Sequence, residues 1–134
     1  MSTPHFHEAD IEVLHSVLDA PQITAGSTAV TVKITLPPGS PGGPAHRHSG
    51  PAYGYVIKGA IVFEVEGEPE RVIHEGEAFS EPGGDKIHYQ TANHLGDTES
   101  VLTATTFVAP GQPLLTVVSA EELEARKHLR APRP

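Results

Sequence analysis

Residues 37–44 read PPGSPGGP, four Pro and three Gly in eight positions. Pro locks φ and removes an N–H, and Gly weakens any regular element, so neither a helix nor a sheet ladder propagates through such a run and a rigid loop remains. The rest of the chain is cut on a similar scale. Ser27 to Leu36 (STAVTVKITL) sets Val30, Val32, Ile34 and Leu36 opposite Ala29, Thr31, Lys33 and Thr35, the alternation of a strand with one buried face. Ile11–Asp19, Tyr53–Ile57, Ala60–Glu66, Glu70–His74, Ala78–Glu81, Lys86–Thr91 and Val101–Val108 read as further short strands. Turns fall at Lys58-Gly59, Gly67-Glu68-Pro69, Gly76 and Pro82-Gly83-Gly84-Asp85. Leu114 to Val118 is apolar and suits either a last strand or an interface segment. Ser119 to Leu129 alone reads as a helix, with Ser119 as N-cap, Glu122 three residues on, and basic residues at the end. The expected fold is all-β, a sandwich or jelly roll with a short C-terminal helix. One domain is expected over 1–134, its core barrel at about 11–118 and its helix at about 119–129.

Nine Lys plus Arg against seventeen Asp plus Glu gives a net charge of −8, the wrong sign for nucleic acid or an anionic membrane surface. No apolar run reaches the roughly 20 residues of a membrane span, and residues 1–10 lack the pattern of a signal peptide, so a cytoplasmic protein is expected. There is no cysteine, which excludes disulfides, thiolate metal sites and thiol nucleophiles. Metal chemistry here must use His, carboxylates or amides. The chain has nine His.

His46 and His48 follow the Pro/Gly loop at a spacing that puts both side chains on one face of a strand, about 6–7 Å apart, with Arg47 facing away. His88 begins another strand after another Pro/Gly turn, so three imidazoles can meet at one barrel mouth. His5 and His7 form a second such pair near the N-terminus, and these two, His15 and His94 read as surface or structural residues. Glu64, Glu66, Glu68, Glu70, Glu75 and Glu77 alternate or sit at turns, the pattern of the solvated face of an edge hairpin. Phe63, Phe79 and Phe107 read as core, and Tyr53 as packing, a pocket wall or an acid.

Gly39, His46, His48, Gly59, Gly76, Pro82, Gly84, His88 and Asn93 together resemble the two motifs of the cupin superfamily, over roughly residues 30–108. The resemblance implies a small jelly-roll barrel holding a divalent metal near one mouth, with His46, His48 and His88 as ligands. It is imperfect. The position of that family's Glu ligand is Ala52, and one extra residue separates Gly84 from His88 and His88 from Asn93. Some cupins take a ligand two residues after the second-motif His, which here is Gln90, either a ligand or a pocket hydrogen-bonding group. Three neutral imidazoles would leave a divalent ion nearly its full charge, a strong Lewis acid, and zinc is then favoured, with iron, nickel and manganese as alternatives.

The expected function is a metal-dependent enzyme on a largely apolar, oxygenated small molecule. Small cupins of this build resemble the aromatic polyketide cyclases of antibiotic-producing bacteria, in which a metal polarises a β-carbonyl before ring closure, with Gln90 and Tyr53 as candidate catalytic groups. A three-His iron dioxygenase and a non-catalytic binding cupin are the alternatives. A homodimer is expected, because open sheet edges and the apolar 114–118 segment need cover.

Overall fold

A computed structural model describes residues 5–6 and 9–133, with side chains from residue 10 onward. A separate two-stranded hairpin, β1 (His5–Phe6) and β2 (Ala9–Asp10), precedes the body. The body consists of β3 (Thr28–Leu36), β4 (His46–Arg47), β5 (Ala52–Lys58), β6 (Ala60–Val65), β7 (Arg71–His74), β8 (Ala78–Glu81), β9 (His88–Asn93), β10 (Ser100–Val108) and β11 (Thr116–Val117). They form two antiparallel sheets, β3-β10-β5-β8 and β11-β4-β9-β6-β7. Between them lie Leu36, Val56, Ile61, Phe63, Val65, Ile73, Phe79 and Leu102. This is the jelly-roll sandwich expected from the alternation of the strands.

The C-terminal helix α1 spans Ala120–Arg126, and Glu122 N–H donates to the Ser119 Oγ cap at 3.1 Å. A 3₁₀ turn, Lys127–Leu129, follows. No helix among the described residues is long and apolar enough to cross a membrane. Within 114–118 only Thr116–Val117 form a strand, pairing Thr116 with Arg47 and Val117 with His46.

Two expectations fail. Residues 11–19 form no strand: residues 12–15 cross the outer face of the four-stranded sheet beside Tyr53, Tyr55, Thr103 and Thr105, where a backbone has no edge to pair with. The barrel therefore starts near Thr28 rather than at 11. The solvated acidic face fails in part: β6–β7 is an edge hairpin with Glu68, Glu70, Glu75 and Glu77 exposed, but the acids at positions 64 and 66 are not. The β6 strand sits between β9 and β7, and Glu64 and Glu66 are buried at 1% and 2% exposure. Arg130 Nε and Nη2 reach the Glu64 carboxylate at 2.8 Å, and Arg126 pairs with Glu66. The C-terminal segment covers the outer face of β6 and supplies the cations that let alternating acids be buried beneath it.

The β5–β6 turn shows why Gly59 is Gly. Its φ is 80°, and a Cβ there would lie 2.2 Å from Ser100 Oγ. That hydroxyl accepts from Ala60 N–H at 3.0 Å and donates to Asn93 Oδ1 at 2.7 Å, while Asn93 Nδ2 holds the carbonyls of Pro37 and Thr98. The knot ties the Pro/Gly loop to the sheets. Gly59→Ala is expected to cost about 1–3 kcal/mol through left-handed strain and displacement of Ser100, read as a lower urea midpoint at unchanged slope.

Candidate metal centre

His46 in β4 is the direct cross-strand partner of His88 in β9, and His48 follows just beyond β4. The ring centroids of His46 stand 4.8 Å from those of both His48 and His88. One ligating atom from each of the three lies within 4.8 Å of the others. The structure thus brings together the three residues that the sequence singled out.

Each imidazole has its outer nitrogen committed elsewhere. His46 Nδ1 lies 2.9 Å from Pro44 O and His48 Nδ1 lies 2.8 Å from Leu114 O. Carbonyls only accept, so both rings carry Nδ1–H and turn Nε2 inward, where the two Nε2 atoms stand 3.2 Å apart. His88 Nε2 lies 2.8 Å from Thr91 Oγ1 and 3.1 Å from Gln90 O, which leaves Nδ1 facing inward. The Pro/Gly loop and the β11 approach therefore orient two rings, and β9 itself orients the third.

A residue absent from the sequence candidates lies against the cluster. Glu81, at the end of β8 and 6% exposed, puts Oε1 3.0 Å from His48 Nε2 and Oε2 2.8 Å from His88 Nδ1. Burial acts to raise this carboxyl, but hydrogen bonds and charge from His48 and His88 overcome it and hold the value at about 2. His46 is lowered, first by burial. In His48 burial also acts to lower, but the Glu81 contact wins and the net shift is upward. Inward lone pairs facing an ionised carboxylate at hydrogen-bond distance need a cation between them, protons or a metal. Three inward ring nitrogens, with a carboxylate against two of them, are a donor set that fits a divalent ion. Only the Glu-Pro-Gly-Gly turn hinted at Glu81, because burial and facing follow from β8 pairing with β5.

The other sequence candidates are placed elsewhere. Gln90 was expected on the face of His88, two residues on. In the β6–β9 ladder Glu64 pairs with Gln90 and Val65 with His88, so Tyr89 is an extra, bulged residue that reverses the alternation. Thr91, not Gln90, shares the cavity with His88. Gln90 Nε2 instead donates to Glu64 at 2.9 Å and to Glu70 at 2.8 Å, on the outer face. Tyr53 lies on the outer face of β5, its ring edge-on to Phe107 at 6.2 Å, so Phe107 too is outside the main core. Ala52 and Gly54 are the inward residues there, and a Cβ on Gly54 would meet the Phe79 ring at 2.2 Å. His15 is exposed and bonds Ser80, and His94 is exposed. His7 lies outside the described residues, and only the backbone of His5 is described.

The cluster opens into a cavity of about 350 Å³ between the sheets. Its walls are chiefly apolar, among them Val32, Ile34, Leu36, Leu102, Leu114 and Leu115, with the hydroxyls of Thr91 and Thr106. None of the described residues lining it is Lys or Arg. A more open depression of about 480 Å³ lies outside the four-stranded sheet beside residues 12–15 and contains no such cluster.

Comparison with known families matches residues 32–106 to the family described as Cupin domain. No curated protein sequence matches the chain. Among solved structures, a predicted oxalate decarboxylase from Thermotoga maritima is 27% identical, with a TM-score of 0.50 over 60% of this chain and 66% of its own. An oxalate oxidase is 25% identical at a TM-score of 0.53, over 67% of this chain and 46% of its own. A DMSP lyase from Ruegeria pomeroyi is 18% identical at a TM-score of 0.55, over 67% and 43%. The chain spans less than two thirds of the length of each of these three proteins.

Proposed function

The chain belongs to the cupin-domain family, and from that premise we propose that it is a metal-dependent enzyme acting on a neutral, largely apolar, oxygen-bearing small molecule. His46, His48 and His88 hold the ion. The observation that carries the reading is the cavity: a cluster of inward donors at one end of about 350 Å³ of apolar space. A small dianion such as oxalate would find no guanidinium or ammonium among the described lining residues, so the substrates of the two oxalate-acting neighbours are not carried over.

The bound ion supplies Lewis acidity toward a carbonyl oxygen. The chain supplies the rest. Val32, Ile34 and Leu36 of β3 and Leu102 of β10 form apolar walls against which an apolar chain would fold beside the cluster. Thr91 and Thr106 offer hydroxyls to further substrate oxygens. The reaction inferred is enolisation of a polyketide-like β-carbonyl compound, its α-proton passing to water, followed by aldol ring closure in which the attacked carbonyl oxygen takes up a proton as the new C–C bond forms. Neither Gln90 nor Tyr53 reaches that space, and neither is given a part in the reaction.

A second reading is favoured by one observation. Mixed imidazole and carboxylate donors suit iron, and Glu81 lies within 3.0 Å of His48, so a cupin dioxygenase is the competing activity. The same contact removes the argument that singled out zinc. Both readings are tested with an enolisable aryl β-diketone and protein loaded with zinc, manganese, nickel or iron. Anaerobic exchange of the α-proton for deuterium, followed by NMR and faster with the zinc form than without protein, is the expected result. Stoichiometric oxygen uptake confined to the iron form would promote the dioxygenase instead.

A further inference from the structure

We propose that Glu81 is the carboxylate ligand of this centre, occupying from β8 the role left empty at Ala52 of β5. The inference rests on the metal-centre reading above and adds a fourth protein donor to it.

The register carries the first part of the argument. Ala52 and Glu81 are direct partners in the β5–β8 ladder. Side chains opposite each other on antiparallel strands stand on the same face with Cβ atoms about 4.5–5.5 Å apart. A carboxylate lost from residue 52 and present at residue 81 has therefore moved sideways by one strand spacing, and both residues line the same cavity. Ala52 is 5% exposed; its small side chain leaves the space across which the Glu81 side chain reaches the histidines.

The distances carry the second. Donors around an ion at about 2.1 Å stand about 3 Å apart when adjacent in an octahedral arrangement. His46 and His48 Nε2 are separated by 3.2 Å, His48 Nε2 and Glu81 Oε1 by 3.0 Å, and His88 Nδ1 and Glu81 Oε2 by 2.8 Å. A carboxylate supporting a ligand from the outer shell would contact the outer ring nitrogens. Here those are taken by Pro44 O, Leu114 O and Thr91 Oγ1. Glu81 contacts the inner nitrogens, the ones a metal would use.

No arginine or lysine pairs with Glu81 in the ion-pair set of the described residues; its partners are the two histidines. A carboxyl this buried, whose ionic partners are the inward nitrogens of two imidazoles, stands where a shared cation would be held.

The test uses the full chain and Co²⁺ or Mn²⁺ alone as probe, with affinity by calorimetry, the visible spectrum of the Co²⁺ form and the EPR spectrum of the Mn²⁺ form. Glu81→Gln keeps size and hydrogen bonding. It is expected to weaken binding at least about tenfold and to change both spectra. In Ala52→Glu/Glu81→Ala the carboxylate is returned to β5, and affinity should recover to within about tenfold of wild type. Circular dichroism confirms that the variants are folded. Should Glu81→Gln misfold, the infrared difference spectrum of wild-type protein with and without Co²⁺ reads the same question, through a shift of a carboxylate stretch. Unchanged affinity and spectra in Glu81→Gln, or no carboxylate shift, overturn the role of Glu81 and leave the three-His site standing. Weakened affinity with unchanged spectra and no recovery in the double variant also overturns it, by assigning Glu81 to support alone. Failure of the wild-type chain to bind either ion overturns the metal reading itself.

Discussion

Alanine in place of His48 is expected to abolish stoichiometric binding of a divalent ion, with affinity falling by more than about a hundredfold. Loss of residues that merely orient a ligand costs about 10–100-fold, so loss of a ligand sets a larger floor. His48 Nε2 stands between two other donors, 3.2 Å from His46 Nε2 and 3.0 Å from Glu81 Oε1. Its removal leaves His46 without its nearest inward neighbour and Glu81 with His88 as its remaining ionic partner. That second effect is visible without metal. A buried carboxylate that loses a charge-assisted hydrogen bond costs about 1–3 kcal/mol, so the metal-free variant should also melt several degrees lower. Equilibrium dialysis with elemental analysis checks the first claim and thermal denaturation the second. One ion retained per chain at wild-type affinity would show that the three rings are a structural cluster and remove the basis of the proposed function.

How far the sequence revealed this site depended on which physical rule placed each residue. Period-two alternation located β3 and its inward Val32, Ile34 and Leu36, and the Pro/Gly turns located the strand starts carrying His46, His48 and His88. Local capping chemistry located α1 at Ser119. The same alternation misplaced Gln90, because a single bulge at Tyr89 reverses facing, and nothing in KIHYQT marks the bulge. It misplaced Glu64 and Glu66 for a different reason. Alternating acids usually mean water, but here guanidinium groups some 60 residues later cover them. Glu81 was hidden by the same long-range dependence, since its role follows from the pairing of β8 with β5. What stayed illegible is therefore ladder registration and the docking of the C-terminal segment, both non-local.

The neutral centre inferred from Ala52 shows how one such omission spreads. Reading the ligand set from consecutive motif positions gave no charge, hence a strong Lewis acid, hence zinc. One carboxylate delivered from the neighbouring strand changes the charge on the donors and opens the choice among ions, while the apolar cavity beside them is unaffected. Substrate class is thus better supported than metal identity, because the cavity walls come from β3 and β10, whose alternation is regular.

Arg130→Ala is expected to destabilise the fold by about 3 kcal/mol, more than Glu64→Ala does, and to lower the melting temperature by roughly 10 °C. The asymmetry follows from burial. Glu64 is 1% exposed while Arg130 keeps 33% of its side-chain surface. Removing the guanidinium strands a carboxylate under the C-terminal segment with Gln90 at 2.9 Å and the more distant Arg133 at 3.3 Å. Removing the carboxylate instead frees arginines that can turn to water. Arg130 also stacks over the Tyr89 ring at 4.3 Å, so its loss uncovers the bulge beside His88. The pair gives stability a pH dependence of known sign. Burial acts to raise the Glu64 carboxyl, yet Arg130 and Gln90 bonding holds it below its ordinary value. The stabilisation is therefore complete above the unfolded carboxylate value near 4.3 and is lost as pH falls through the lower folded one. In Arg130→Ala that acid loss should flatten. Metal affinity should stay near wild type in Glu64→Ala, because this carboxylate faces outward. Melting temperatures within about 2 °C of wild type for both variants at pH 7 would instead make the contact a solvent-screened surface pair, and the C-terminal segment a passive cover rather than the clamp that lets β6 carry buried acids.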